Sequence, residues 1–297
     1  MRSLNAHCSW YLPASWQRKE PLKEEEKIAG GGMMLPDDKV DLWTVRDHLA
    51  RYAFAAELIR GKVVLDVACG SGYGSAFLFD KGARIVVGGD IFVKAIEAAR
   101  AYFARPGVEF LVIDATRLPF ADNSFEAIVS METIEHVEQY KTYLSECRRV
   151  LKQGGVFICS TPYKWQGLPE TTIRSPYHVH EFYLDEFQEL LSQFFAETEF
   201  YGQHYLSKVE WIKETITQKI KRAMQPLISH TPKLYELIKI LYRYVINLPY
   251  TKMFYRYPHT QLSQIRDWDR MLDENYKPYP LDSSSLTPKI IIAVARK

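Results

Sequence analysis

Short runs of β-branched residues alternate with helical patterns from residue 63 to residue 160, and this alternation limits the fold more than any other feature. The first run, Val63–Val67, leads into a glycine-rich turn that opens a helix. Strands linked through helices lie parallel, because the helical crossover returns the chain to the same end of the sheet. The sequence therefore predicts an α/β fold, a doubly wound parallel sheet with helices on both faces.

Hydrophobic periodicity sets the bounds of the predicted elements. The predicted strands are Val63–Val67, Ile85–Gly89, Glu109–Ile113, Ala127–Met131, Val156–Ser160, Glu197–Tyr201 and Lys289–Ala295. The predicted helices are Asp41–Ile59, Ser75–Asp80, Phe92–Phe103, Tyr140–Leu151 and Leu184–Phe194, and a turn is predicted at residues 153–155. The run of isoleucines at 290–292 is expected to be buried on both faces of the sheet, so the domain closes with the last residues of the chain.

Composition divides the chain into four segments. Residues 1–38 carry a run of basic residues and glutamates followed by three glycines, so we expect a mobile tail that cannot offset its ordering entropy by burial. Residues 39–203 form the predicted core with its leading helix, and residues 287–297 supply the final core strand. Residues 204–286 do not follow the α/β pattern and are predicted to form an inserted basic helical cap.

The cysteines and the apolar runs indicate the compartment. The four cysteines, at positions 8, 69, 147 and 159, have no paired metal-binding spacing, so reduced thiols are expected. No apolar run reaches the roughly 18 to 20 residues of a membrane-spanning helix, and the first residues lack the pattern of a signal peptide. A cytoplasmic protein is therefore expected, and a net charge of +2 gives no general attraction to nucleic acid.

The strongest local motif is the turn from Leu65 to Gly74, where a strand ends in a carboxylate and glycines open a helix. A dinucleotide-binding turn is the alternative interpretation, but Ser75 stands where that motif has its third glycine. Asp66 at the strand end would repel a pyrophosphate, whereas it could help to seat an ammonium group. The turn therefore favours S-adenosylmethionine over NAD.

Two further carboxylates follow the next two strands. Asp90 lies twenty residues after Gly70, where a carboxylate can accept hydrogen bonds from both ribose hydroxyls, a feature shared with NAD enzymes. Asp114 ends the third strand, where it could accept from an adenine amino group. Three acids at the ends of three consecutive strands indicate one binding site. The alternative is that each acid serves only a turn or a helix cap.

These motifs together resemble class I S-adenosylmethionine-dependent methyltransferases over residues 41–203 and the final strand. The resemblance rests on the glycine turn, Asp90, Asp114–Ala115, Leu118–Phe120 with Ser124–Glu126, Glu132–Val137 and Leu151–Gly155. The subgroups that it resembles most are the methyltransferases of bacterial sugar and polysaccharide pathways and those of ubiquinone biosynthesis. The resemblance implies a seven-stranded Rossmann-like sheet of order 3-2-1-4-5-7-6 with an antiparallel last strand.

The resemblance also implies which residues bind the cofactor, S-adenosyl-L-methionine. The glycine turn would contact its amino acid part, Asp90 its ribose, and Asp114 and Ala115 its adenine. On the leading helix, which also carries His48 and closes over the cofactor in similar enzymes, Arg51 would pair with the methionine carboxylate. The alternative for Arg51 is a solvated helix charge. The predicted cofactor-binding residues are Arg51, Tyr52, Asp66, Ala68, Cys69, Gly70, Ser71, Gly72, Asp90, Ile91, Asp114, Ala115 and Met131.

Methyl transfer from a sulfonium mainly requires an acceptor held at attack distance in a dry pocket, and a base only for a hydroxyl or similar acceptor. Three histidines follow strands whose ends should face the acceptor: His136 after the fourth strand, and His178 and His180 after the fifth. Each is a candidate catalytic base, and a purely structural histidine is the alternative for each. The stretch from His178 to Glu181 could also supply metal ligands, but no metal is predicted.

Residues 208–256 hold ten Lys or Arg against three Glu, an excess of +7 that leaves about −5 for the rest of the chain. Apolar residues at helical spacing and many tyrosines predict two amphipathic cap helices, packed on the sheet or on a second copy in a homodimer. The alternatives are a peripheral membrane contact near a lipid-linked acceptor, and RNA binding. Nucleic acid is disfavoured, because the fourth strand lacks the Asn- or Asp-Pro-Pro-aromatic turn of base methyltransferases.

Through the resemblance, the sequence predicts an enzyme that methylates a small-molecule acceptor. The main hypothesis is O-methylation of a sugar or glycan intermediate. A quinone or another lipophilic acceptor is the alternative, favoured if the tyrosine-rich cap forms an apolar funnel. Two further hypotheses are a non-catalytic protein that keeps the fold and a dehydrogenase on the same architecture.

Overall fold

The computed structural model describes residues 40–164, 175, 177–203, 259–260, 272, 278–281, 288 and 290–297. Nearly all of the predicted core lies within these ranges. The predicted tail of residues 1–38 and most of the predicted cap of residues 204–286 lie outside them, so both remain predictions.

The core elements follow the predicted alternation of strands and helices. The strands are β1 (Val63–Val67), β2 (Ile85–Asp90), β3 (Val108–Val112), β4 (Phe125–Ser130), β5 (Leu151–Pro162), β6 (Glu197–Gln203) and β7 (Ile290–Arg296). The helices are α1 (Leu42–Leu58), α2 (Tyr73–Asp80), α3 (Val93–Phe103), α4 (Tyr140–Val150) and α5 (Leu184–Ser192), and a 3₁₀ turn spans Ile134–His136. Except at the start of β5, each bound lies within two residues of the predicted one.

These seven strands lie in one sheet in the order β3-β2-β1-β4-β5-β7-β6. Strands β1 to β5 pair in parallel, whereas β7 pairs antiparallel with both β5 and β6. The predicted fold and strand order are therefore confirmed, including the antiparallel last strand.

The predicted number of strands needs a correction, because the sheet has eight strands in the described part of the chain. The eighth is Tyr279–Pro280, which pairs with β6 at the sheet edge. Two residues are too few for a periodic pattern, and proline fits an edge, where its missing N–H is not needed. A separate pair of two-residue strands, Val40–Asp41 and His259–Thr260, joins the start of α1 to a point within the predicted cap range.

The predicted turn at residues 153–155 is wrong, because these residues lie inside β5. The pairing of β5 with β4 shifts register between Phe125↔Leu151 and Ala127↔Val156, so the extra residues form a bulge. The Gly154 N–H donates to the Lys297 carbonyl (3.0 Å), which holds the bulge against the end of the chain. Adjacent glycines occur in both turns and bulges, so the sequence alone did not separate the two.

Alternate residues of the strands pack into two separate cores, one on each face of the sheet. Val64 and Ile292 belong to the core that α1, α2 and α3 cover. Leu65 and Ile291 belong to the other, which α4 and α5 cover. Strand β7 is thus buried on both faces, as its isoleucine run predicted, and the sheet is doubly wound.

Three of the four cysteines lie within the described residues. Cys69, Cys147 and Cys159 are buried free thiols, as expected. Within the described ranges, no helix has both the length and the apolar character needed to cross a membrane.

Candidate active site

The polar residues predicted to form a site lie at the carboxyl ends of the parallel strands. In the sheet β1 and β4 are neighbours, with β2 beyond β1 and β5 beyond β4. This reversal of strand order leaves a crevice outside the strand ends, where ligands of doubly wound sheets bind. After the predicted ligands, we call the ends of β1–β3 the cofactor half of this edge and the ends of β4 and β5 its acceptor half.

The glycine turn between β1 and α2 has a backbone that few side chains tolerate. Gly70 and Gly72 have φ angles of +54° and +84°, in the left-handed region. A Cβ atom at Gly72 would lie 2.6 Å from the Phe110 ring, so this position is closed to any side chain. Ala68 also has a positive φ, of +59°, a strained conformation of the kind that clusters at functional sites.

Asp66 is buried at the end of β1 and joins the turn to α1. Its Oδ2 accepts a hydrogen bond from Ser75 Oγ (2.6 Å), and its Oδ1 accepts one from Tyr52 Oη (3.2 Å). Burial raises the pKa of Asp66 to about 7, although the two hydroxyl donors lower it. Ser75 therefore acts as a hydrogen-bond donor to Asp66, a role that the glycine motif did not reveal. The ammonium contact of Asp66 stays a prediction.

Asp90 is buried at the end of β2 and is held by backbone donors. The N–H groups of Gly70 and Phe92 donate to its two carboxylate oxygens, both at 2.9 Å. Burial raises the pKa of Asp90, and these two donors oppose the rise. Because each carboxylate oxygen has a second lone pair, Asp90 can still accept hydrogen bonds from ribose hydroxyls.

Asp114, beyond the end of β3, is exposed. Its Oδ1 accepts hydrogen bonds from the Thr116 N–H (2.8 Å) and from Thr116 Oγ1 (2.7 Å), as in an Asx turn. Both interpretations of this acid are thus compatible with the structure, since it stabilises a turn and lies at the edge of the cofactor half. Met131, after β4, is buried in the same core as Tyr52.

Two buried polar atoms test whether the cofactor half fits its predicted ligand. Ser71 Oγ and Arg51 Nε are buried, and neither has a hydrogen-bond partner among the described residues. Buried donors without partners are costly, so these two suit a bound group that brings acceptor atoms. A carboxylate is such a group, and the residues present therefore fit the amino acid part of S-adenosylmethionine.

Arg51 is not a solvated helix charge, because only 2% of the residue is exposed. Its Nη1 donates to Gln203 Oε1 at the end of β6 (2.7 Å), and Gln203 Nε2 donates to the Asp47 carbonyl (3.0 Å). The alternative interpretation of Arg51 is therefore wrong. Gln203 was missed by the sequence analysis, since no local pattern connects two positions 152 residues apart.

In the acceptor half, the segment after β5 docks on the 3₁₀ turn after β4. The Glu135 carbonyl accepts hydrogen bonds from the N–H groups of Val179 (2.8 Å) and His180 (3.2 Å). His136 Nδ1 donates to the Tyr177 carbonyl (2.9 Å). These three bonds fix the position of the loop that carries the other two candidate bases.

The structure brings two of the three candidate bases together. The rings of His136 and His178 meet edge to face, with centroids 4.9 Å apart. Burial lowers the pKa of His136 in spite of its hydrogen bond to Tyr177, so this ring is neutral near pH 7. His180 instead lies with its ring 4.4 Å from that of Phe182 and its Nε2 2.7 Å from Glu186.

Two glutamates of the acceptor half were not singled out by the sequence analysis. Ser160 Oγ donates to Glu132 Oε1 (2.6 Å), and Thr161 Oγ1 donates to Glu135 Oε2 (3.0 Å). Burial raises the pKa of Glu135, and the nearby charge of Glu132 adds to the rise. Their place in the Glu132–Val137 motif was a signal, but the motif did not reveal that the end of β5 supplies their partners.

The acceptor half also contains a group with the composition of a cation site. Ligand atoms of Glu135, His136 and His178 all lie within 4.8 Å of one another. The alternative metal site drawn from the sequence used the stretch from His178 to Glu181 instead. The structure assembles a different set, because His180 pairs with Glu186.

Comparison with known proteins adds to this geometry. Residues 65–159 match the methyltransferase domain family. A probable S-adenosylmethionine-dependent methyltransferase of Mycolicibacterium smegmatis is 33% identical over 162 residues, which are 54% of this chain and 62% of that protein. A ubiquinone/menaquinone biosynthesis C-methyltransferase of Desulfotalea psychrophila is 40% identical over 97 residues, 32% of this chain and 39% of that protein. The chain thus spans less than two thirds of each relative's length.

A solved structure covers more of the chain. It is that of a putative methyltransferase in complex with a Haloferax volcanii methyltransferase activator, with a TM-score of 0.53 and 19% identity over 93% of this chain and 99% of that chain. At this identity the similarity concerns the fold alone.

Proposed function

We propose that this chain transfers a methyl group from S-adenosylmethionine to a hydroxyl of a small acceptor, because its core belongs to the class I S-adenosylmethionine-dependent methyltransferases. The family predicted from the sequence is thereby confirmed. The observation that carries the proposal is the placement of two groups at one edge of the sheet. One group is the glycine turn with its positive φ angles, beside the buried Asp90, and the other is a pair of histidines whose ring centroids are 4.9 Å apart.

When bound, S-adenosylmethionine supplies a methyl group activated by its sulfonium. We assign Asp90 to the ribose hydroxyls, because its backbone donors hold it in place while leaving lone pairs to accept. Arg51 and Ser71 are assigned to the carboxylate, since each has a buried donor suited to it. Asp114 and Ala115 are assigned to the adenine.

His178 is the proposed base in the acceptor half. Its Nδ1 donates to Glu181, so Nε2 is the nitrogen that takes the hydroxyl proton. The bound cofactor would supply its methyl group to the acceptor oxygen and leave as a neutral thioether, and His178 would keep the hydroxyl proton. His136, which is neutral, can accept a hydrogen bond that orients the acceptor.

For the acceptor itself we propose a sugar or glycan intermediate, on the resemblance of the sequence motifs. A quinone or another lipophilic ring is the second candidate, supported by Tyr177 and Val179 on either side of His178. They are 44% and 43% exposed, so their side chains can pack on an apolar ring. The relative named for ubiquinone/menaquinone biosynthesis supports the same candidate.

Calorimetric titration with S-adenosylhomocysteine tests the cofactor assignment without any acceptor. We expect micromolar binding, which Asp90→Ala weakens by about 1 to 3 kcal/mol because charge-assisted hydrogen bonds are lost. Asp122→Ala is the matched control, since it removes an aspartate whose side chain is 68% exposed and lies outside the site. Equal affinity in the Asp90 variant and the wild type would show that the assigned site is wrong.

Transfer of labelled methyl groups then tests the activity. The panel compares monosaccharides with hydroquinones as acceptors. Transfer to the sugars supports the main proposal, and transfer to the hydroquinones alone supports the second candidate. Absence of S-adenosylhomocysteine binding would overturn the proposed function altogether.

A further inference from the structure

Resting on the proposed function, we propose that Glu181 is a positioning residue that makes His178 a base. Glu181 Oε1 lies 2.7 Å from His178 Nδ1. A carboxylate only accepts hydrogen bonds, so the proton of the neutral ring sits on Nδ1 and Nε2 is left without one. Glu181 would thereby select the tautomer that methyl transfer to a hydroxyl requires.

Burial makes this contact more than a surface ion pair. The Glu181 side chain is fully buried, and that of His178 is 13% exposed. A buried carboxylate is costly unless donors satisfy it, so the pair holds its geometry strongly. The orientation of the ring is then fixed before an acceptor arrives.

The backbone on both sides of the pair is also fixed. On one side, His136 Nδ1 donates to the Tyr177 carbonyl (2.9 Å), and between the two residues of the pair the N–H groups of Val179 and His180 bind the Glu135 carbonyl. On the other, the Lys164 N–H donates to the Phe182 carbonyl (3.0 Å), which ties the segment to the end of β5. The three-residue spacing of His178 and Glu181 therefore lies in a stretch held at both ends, so the contact belongs to the framework of the acceptor half.

A second histidine–glutamate pair in the same segment shows what is special about the first. His180 Nε2 and Glu186 Oε1 are also 2.7 Å apart, but their side chains are 36% and 39% exposed. This pair engages Nε2 rather than Nδ1, and water competes for it. The nitrogen–oxygen distance is the same in the two pairs. They differ in the burial of their side chains and in the ring nitrogen that contacts the carboxylate.

Nitrogen-15 NMR of histidine-labelled protein, bound to S-adenosylhomocysteine, tests the proposal without an acceptor. The signal of His178 is assigned by its loss in His178→Asn, and its shift reports which ring nitrogen carries the proton. We expect an unprotonated Nε2 in the wild type. In Glu181→Gln the carboxamide can offer an N–H to Nδ1, so a large share of the rings should carry the proton on Nε2 instead. Methyl transfer should fall about 100-fold or more, as a wrong tautomer costs a histidine base.

Glu186→Gln is the matched control, because it makes the same change in the exposed pair. It should leave the His178 signal and methyl transfer unchanged. An unaltered His178 tautomer in Glu181→Gln would overturn the inference. A His178 signal that moves when EDTA is added to the wild type would also overturn it, since a bound cation would then be a ligand partner of the ring. Unchanged binding of S-adenosylhomocysteine in Glu181→Gln separates these outcomes from a failure of the proposed function, in which that binding is absent.

Discussion

The two halves of the sheet edge bury their functional groups in different ways. In the cofactor half, the glycine turn and Asp90 lie within one short stretch of chain, and backbone N–H groups hold the carboxylate. In the acceptor half, the 3₁₀ turn after β4 and the loop after β5 are some 40 residues apart, and backbone hydrogen bonds join them together with the ring contact of His136 and His178. A site built on local backbone geometry leaves a motif that shows its contacts, whereas a motif in a site built between distant loops does not show which residues meet.

The two halves also differ in the work for which they are suited. The cofactor half offers a rigid backbone and buried acceptors, which suit the binding of one fixed ligand. The acceptor half offers two histidine rings beside exposed Tyr177 and Val179, which suit proton transfer and an adaptable contact. Substitutions should therefore separate binding from turnover according to the half in which they fall.

The largest expected effect is on turnover, from His178→Asn. Loss of a general base should lower methyl transfer to a hydroxyl acceptor by about 100- to 10,000-fold. Affinity for S-adenosylhomocysteine, measured by calorimetry, should stay within about twofold, because the substitution leaves the cofactor half intact. Weakened cofactor binding with normal turnover would reverse the assignment of the two halves.

The next effect is on the pH dependence of stability, through Asp66. Its pKa is about 7 in the folded protein, against an ordinary value of 3.8, so between these values the folded state binds more protons than the unfolded state. The free energy of unfolding should therefore fall as the pH rises from about 4 to 7, by up to about 4 kcal/mol from this group. Urea unfolding at several pH values measures the free energy of unfolding of the wild type and of Asp66→Asn. The stability of the wild type relative to the variant should change progressively across this pH window. Asp80→Asn, at an exposed carboxylate, is the control and should show no such change.

The smallest effect concerns the backbone of the cofactor half. Gly72→Ala should lower the free energy of unfolding by about 3 kcal/mol, because a positive φ is combined with a clash against Phe110. Gly61→Ala is the matched control, since its φ is +71° but a Cβ there meets nothing within 4 Å, and it should cost only about 1 kcal/mol. If chemical denaturation gave the same loss of unfolding free energy for both variants, the positive φ angle alone, and not the contact with Phe110, would explain the need for glycine at position 72.

More of the fold than of the site could be predicted from the sequence. The alternation of strands and helices, the burial of β7 on both faces and the strand order were predicted and are confirmed. The eighth strand and the bulge in β5 were not, because two residues carry no period and paired glycines mark turns and bulges alike. In the site, Asp66 and Asp90 were found with their places at the strand ends, but the partners of Asp66 on α1 and α2 were not.

By itself, then, the sequence determined the class of fold, the family and the position of the glycine turn. Each depends on interactions between residues close in the chain: side-chain periodicity, a left-handed turn that favours glycine, and carboxylates at strand ends. Only the tertiary structure decided that Arg51 binds Gln203, that His136 meets His178, and that Glu181 rather than Glu186 is the buried partner. These contacts depend on sheet register and on the path of two loops, because a side chain's partner across long sequence separations is set by packing and not by any local pattern.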